Sequence, residues 1–276
     1  MVATISPPHP HESVSSQEFS RKALCTSLQL LHGLKRALVL GKRQAHESPR
    51  ELLRRASALQ GICRALLAHL QVSVRPYGQC PERGLLVSNH VSFLDILVLG
   101  ALHPLVFVSK AEVERWPLVG FIASATGTLF IQRQKRSDVF RVNEQIQQSF
   151  DAGLLVCIFP EGTSSDGSQV LPFQPSLLQP ALSAKLPIYP AHIRYCTPNG
   201  DRIDEVAYFG DRSLSDCLTA LVRRRHTIAE IRFGAALDPE ESRKVMAARL
   251  HTAVSALAPA PTRVEPACLD ALTPSI

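Results

Sequence analysis

Short apolar runs alternate along most of this chain with longer stretches in which apolar side chains return every third or fourth position. Runs of the first kind, bounded by Gly, Pro or polar residues, predict strands at 71–74, 84–87, 104–109, 128–131, 154–159, 188–192, 205–209 and 227–233. The helical spacing predicts helices at 94–102, 116–126, 139–152, 177–185, 214–224 and 239–256. Strands that alternate with helices imply an α/β fold: a single domain with a largely parallel central sheet flanked by helices.

Two further helical stretches precede this pattern. Leu24, Leu28, Leu31, Leu34 and Leu38 stand at three- and four-residue steps, with Arg21, Lys22, Lys35, Arg36, Lys42 and Arg43 around them. Ser48-Pro49 suits the start of a second helix, whose apolar face is Leu52, Leu53, Ala56, Leu59, Ile62, Leu66 and Leu70. This amphipathic pair either covers the sheet or lies on an anionic lipid surface, where each Lys or Arg is worth about 1 kcal/mol. The expected organisation is a disordered N-terminus over 1–19, amphipathic helices in membrane contact over 20–70, the α/β domain over 71–258 and a disordered tail over 259–276.

Composition narrows the partners. A chain that is 45% hydrophobic and 20% charged reads as globular rather than disordered. A net charge of +6 favours an anionic partner, but there is no aromatic stacking platform or recognition motif for nucleic acid. No segment reaches the roughly 18–20 apolar residues of a spanning helix, since the best run, 96–108, is broken by Gly100, His103 and Pro104. The N-terminus carries no secretory pattern. Seven cysteines without CxxC or Cys/His metal spacing suggest a reducing compartment, no disulfide framework and no metal.

The candidate chemistry sits where apolar strands end. "SNHVSFLD", 88–95, follows Gly84-Leu85-Leu86-Val87 and precedes an apolar helix. One helical turn after His90, the Asp95 carboxylate can fold back on the imidazole and leave the other ring nitrogen free to take a proton. "FPEGTSSDG", 159–167, offers Glu161, a turn at Gly162 and the hydroxyls of Thr163 and Ser164. "GTLFIQR" and "FVSKAEVERWP" bring Arg133 and Lys110 to strand ends in the same way. Each basic residue alone is an ordinary surface charge; sheet topology decides whether the ends meet.

In order, NHVSFLD, FVSKAEVERWPLVG, GTLFIQR, FPEGTSSDG and LPIYPAHI resemble the four blocks of the glycerolipid acyltransferase family, whose bacterial members include the 1-acylglycerol-3-phosphate acyltransferases. The resemblance covers about 50–258. It implies an α/β acyltransferase fold, membrane association and no cofactor beyond acyl-CoA or acyl-carrier protein as co-substrate. It also implies His90 as general base and Asp95 as its orienting partner. Lys110, Arg133, Glu161, Gly162, Thr163 and Ser164 fall in blocks that bind the acceptor, and Pro187 and Pro190 in a block associated with the acyl donor. No cysteine stands in a catalytic block and there is no G-x-S-x-G elbow, so direct transfer without an acyl-enzyme is expected.

Two positions depart from the family pattern. Ser164 stands where an Arg suited to phosphate is usual, and Gln132 where an acidic residue is usual. The expected reaction is acyl transfer to the free hydroxyl of a lysophospholipid, with 1-acylglycerol-3-phosphate giving phosphatidic acid. Alternatives are a lyso-ornithine lipid O-acyltransferase, a thioesterase acting on water, and a non-catalytic membrane-binding relative. The expected location is the cytoplasmic face of the cell membrane, peripheral or monotopic.

Overall fold

In the computed structural model, which describes residues 13–132, 135–239 and 242–259, two helices lead into an alternation of strands and helices. They are α1 (Ser16–Leu40), α2 (Pro49–Leu70), β1 (Val72–Tyr77), β2 (Gly84–Ser88), α3 (Leu94–Leu102), β3 (Leu105–Lys110), α4 (Val119–Ala125), β4 (Leu129–Ile131), α5 (Arg136–Asp151), β5 (Leu155–Ile158), α6 (Gln179–Ser183), β6 (Ile188–Cys196), α7 (Leu214–Arg223), β7 (Thr227–Phe233) and α8 (Arg243–Ala256). The predicted loose ends at 1–12 and 260–276 lie outside the described residues.

Residues 13–19, expected to be loose, are ordered. Ser15 accepts the N–H of Glu18 while the Glu18 carboxylate accepts that of Ser15, which starts α1 at Ser16. Val14 also donates to the Arg223 carbonyl, so the helix is tied to the body at its root. The same reciprocal cap, Ser48 with Glu51, starts α2 with Pro49 in its first turn.

The seven strands form one sheet in the order β1-β7-β6-β2-β5-β3-β4. Every neighbouring pair is parallel except β6 with β7, so β1 and β7 run against the other five. The sheet is buried on both faces, as the continuous apolar reading of β2 and β5 requires. One face packs against α2, α3 and α7 through residues such as Leu59, Leu67, Leu94, Val98 and Leu221. The other packs against α5, α6 and α8 through Val142, Ile146, Met246 and Leu250.

Two expectations change. The helical pair divides: α2 belongs to the body, with Leu52, Ala56, Leu59, Leu66 and Leu70 all buried, each large side chain contributing about 2 kcal/mol. Only α1 keeps an exposed apolar stripe, Leu24, Leu28, Leu31, Leu38 and Val39. Residues 205–209 are not a strand. Val206 and Ala207 are buried as a strand's would be, but the backbone groups here bond loops instead: Tyr208 N–H donates to Val91 O at 2.9 Å and Val206 O accepts the Ser92 hydroxyl at 2.5 Å.

The last part of β6 matters most for the site. β2 pairs with β6 only as far as Ser88 with Ala191, while β6 continues to Cys196 against β7. This overhang carries Ile193 and Tyr195 past the tip of β2.

Candidate active site

At the tip of β2, Asn89 extends the ladder with its side chain. Its Nδ2 donates to Ile193 O at 3.0 Å and its Oδ1 accepts Ile193 N–H at 2.8 Å. Both sides of the amide are used, so Asn89 is a structural pin that fixes where the next residue points. That residue is His90.

The peptide of His90 is held from both sides by the loop leaving β5. Its N–H donates to Glu161 Oε1 at 3.0 Å, and its carbonyl accepts Ser165 N–H at 2.9 Å. The imidazole stacks on Phe159, with ring centroids 4.2 Å apart and planes at 21°. Nδ1 lies 2.7 Å from Asp95 Oδ2. Asp95 is an acceptor, so Nδ1 carries the proton and Nε2 presents a lone pair. The His90 side chain is 22% exposed and that of Asp95 0%, which gives the dyad one open side.

Asp95, in the first turn of α3, also accepts the N–H groups of Val91 at 2.7 Å and Ser92 at 3.0 Å on Oδ2. Its Oδ1 accepts the Tyr195 hydroxyl at 2.6 Å. A buried carboxylate that receives four donors is one whose charge is compensated in place. The turn is thus built by Asp95 rather than left open. The backbone donors of the turn are committed as well: the N–H groups of residues 90, 91 and 92 go to Glu161 and Asp95.

Parallel register brings the Glu161 block level with this dyad. Val87 pairs with Ile158, so three steps on His90 stands beside Glu161. Burial pushes the Glu161 carboxyl up to about 8, against the opposing pull of the His90 and Leu171 N–H groups. The side chain is therefore neutral at pH 7. Gly162 turns the chain with φ of 76°, a conformation that favours Gly. Thr163 is exposed, and the Ser164 hydroxyl donates to the Tyr208 carbonyl. Tyr208 in turn meets Trp116 edge-on at 6.3 Å, which joins the second block to the rim.

Lys110 is exposed at the end of β3, in register with Ile131 of β4. Arg133, two residues beyond β4, lies outside the described residues. The two prolines stand below the level of the dyad. Pro187 stands level with Gly84, six residues before the His90 level, about 20 Å down the strand. Pro190 is buried within β6, and its carbonyl accepts Gly234 N–H at 2.8 Å. Sequence reasoning did not single out Tyr195, Phe159 or Tyr208; only the FP beside Glu161 hinted that an aromatic ring ends β5.

The comparisons with known proteins agree with this geometry. A family model described as Acyltransferase matches residues 70–194. The 1-acyl-sn-glycerol-3-phosphate acyltransferase of Neisseria meningitidis serogroup B is 33% identical over 183 residues, covering 66% of this chain and 71% of that protein. The lyso-ornithine lipid O-acyltransferase of Pseudomonas aeruginosa is 40% identical over 159 residues, 57% of this chain and 61% of that protein. The enzyme of that name from Rhodobacter capsulatus is 34% identical over 201 residues, 70% and 72% of the two chains. Among solved structures, the 1-acyl-sn-glycerophosphate acyltransferase PlsC of Thermotoga maritima shares the fold with a TM-score of 0.60 at 16% identity, covering 87% of this chain and 92% of that one.

Proposed function

The chain belongs to the 1-acylglycerol-3-phosphate O-acyltransferase family and is an O-acyltransferase of lipid biosynthesis, and we propose that it moves an acyl group from acyl-CoA or acyl-carrier protein to the free hydroxyl of 1-acylglycerol-3-phosphate, giving phosphatidic acid. The observation that carries the reaction is the His90–Asp95 contact of 2.7 Å, with Nε2 left open. In this reading Nε2 takes the hydroxyl proton as the oxygen attacks the thioester carbonyl. The tetrahedral intermediate collapses with cleavage of the C–S bond, and the imidazolium returns its proton to the departing thiolate. The products are the ester and a free thiol.

Asp95 favours the imidazolium formed on the way without leaving its four donors. For the oxyanion we assign the turn after Glu161, where the N–H groups of Thr163 and Ser164 have no acceptor among the described residues. Lys110 on the rim supports an anionic headgroup. The exposed leucines of α1 support work on a membrane surface, and no helix among the described residues is long and apolar enough to cross one.

Ser164 favours a second acceptor. Its hydroxyl is spent on Tyr208 O, so residue 164 itself offers neither a guanidinium nor a free hydroxyl to a phosphate, as suits the amino-acid headgroup of lyso-ornithine lipid. The test is transfer from labelled acyl-CoA and acyl-carrier protein to each acceptor separately, with His90→Ala as control. Phosphatidic acid formation lost in folded His90→Ala supports the first reading. Acylation of lyso-ornithine lipid alone replaces the acceptor, and full activity of His90→Ala removes the base.

A further inference from the structure

Between α1 and α2 lies a cleft of about 330 Å³ that the reaction does not use. Its walls carry Gln29, His32 and Arg36 from α1 and Arg64 from α2, and Gly33 and Gly61 line it from the two helices. Gly61 gives the Arg36 side chain its room. A Cβ on Gly61 would stand 2.8 Å from an Arg36 guanidinium nitrogen, so a side chain at residue 61 would push that guanidinium from its present seat. Arg36 has no hydrogen bond or ion pair to any described residue, while Arg64 uses its Nε on Ala101 O at 2.8 Å and keeps its terminal nitrogens.

Neither helix carries a carboxylate near this charge. No Asp or Glu occurs between Glu18 and Glu47, or between Glu51 and Glu82. At 100° per residue, Leu24, Leu28, Leu31, Leu38 and Val39 occupy one arc of α1, and His32 and Arg36 border that arc on the side of α2. All five apolar residues are more than half exposed. A cationic cleft on the edge of an exposed apolar stripe is shaped for a ligand that is anionic at one end and apolar at the other.

We propose that this cleft seats the phosphate of an anionic membrane phospholipid, with the Arg36 and Arg64 guanidiniums as its donors and the leucines in the acyl layer beside it. It is a second lipid site, separate from the acceptor site at the strand ends. The inference rests on the reading of α1 as the membrane-facing helix.

The experiment is co-sedimentation of the full chain with phosphatidylcholine vesicles, with and without a minority of phosphatidylglycerol. Three variants accompany the wild type: Arg36→Gln with Arg64→Gln, Gly61→Val, and, as a control of equal charge on the same helical pair, Arg50→Gln with Arg54→Gln. The expected result is that Gly61→Val, which changes no charge, weakens binding to the anionic vesicles roughly tenfold, as the cleft double variant does, while the control loses clearly less. Unchanged binding of Gly61→Val, or equal loss in both arginine pairs, overturns the cleft and leaves diffuse attraction. Wild-type protein that sediments with neither vesicle overturns the membrane reading itself. Release by inorganic phosphate, where chloride at equal ionic strength releases nothing, assigns the cleft to free phosphate instead. Because the readout is binding, none of these outcomes depends on the acyl-transfer assay.

Discussion

Tyr195 holds Asp95 from the side opposite His90: its hydroxyl donates to Oδ1 at 2.6 Å, while His90 Nδ1 binds Oδ2 at 2.7 Å. The phenol is buried, and burial together with the Asp95 charge raises its pKa well above the ordinary tyrosine value, so it stays a donor throughout the working pH range. The carboxylate is thereby fixed in the one rotation that gives His90 a straight acceptor.

Tyr195→Phe keeps the ring and removes only that donor. We expect kcat to fall about tenfold with both KM values nearly unchanged, because the reacting groups lose their orientation while the binding surfaces remain. The buried Oδ1 left without a donor also costs about 1–3 kcal/mol of stability. Kinetics on the folded fraction, with unfolding measured beside it, separate the two. A variant that loses stability but keeps its kcat makes Tyr195 a structural residue only.

Glu161 gives a prediction with a sign. Its carboxyl is raised from 4.5 to about 8, so between these values the folded state binds more protons than the unfolded state. Stability from this group is therefore present at low pH and falls as pH rises through that window. Glu161→Gln is the isostere of the neutral form. It should retain transfer at pH 7 within about threefold and lose the decline toward pH 8. A folded Gln variant inactive at pH 7 means that the ionised carboxylate is the working form.

The strands that hold the dyad could be read in advance because their signal is local: Leu85–Val87 and 154–159 are unbroken apolar runs, and His90 and Glu161 stand at their ends. What could not be read is what two distant segments do to each other. Tyr195 lies a hundred residues from Asp95, and it arrives there only because β6 outruns β2 and turns to an antiparallel partner. Residues 205–209 misled for the complementary reason: their side chains carry a strand's burial, but their hydrogen bonds serve the loops at 91–92 and 164. Pro187 and Pro190 share a block with residues that reach the site, yet register leaves them six and three residues short of the His90 level.

Ser164 is where acceptor choice can be tested. Ser164→Arg releases the Tyr208 carbonyl and supplies a bidentate phosphate donor. The ratio of kcat/KM for 1-acylglycerol-3-phosphate over lyso-ornithine lipid should rise about tenfold or more. Ser164→Ala, which releases the carbonyl without adding charge, should weaken both acceptors alike through KM. If the Arg variant leaves the ratio unchanged, the headgroup does not reach residue 164.

His192 opposes Glu161 in part of the same pH range, and this makes the two separable. It sits on β6 opposite Arg232, and burial, with the Arg194 and Arg232 charges behind it, lowers its pKa to about 4; Asp95 pulls the other way. Between about 4 and 6.5 the unfolded chain binds the proton that the folded chain refuses, so this group's contribution is complete above 6.5 and is lost as pH falls toward 4. At 7% exposure solvent relieves little of that penalty, and at 1.4 kcal/mol per pH unit the span is about 3 kcal/mol. Over 4.5 to 6.5 Glu161 acts with opposite sign, so the wild-type stability curve should be flatter there than either group alone dictates. Urea unfolding at a series of pH values should show His192→Gln losing stability as pH rises through this window and Glu161→Gln gaining it, with the double variant nearly level. A His192→Gln curve parallel to the wild type means that the imidazole gains a proton in the fold and that Arg194 and Arg232 do not crowd it.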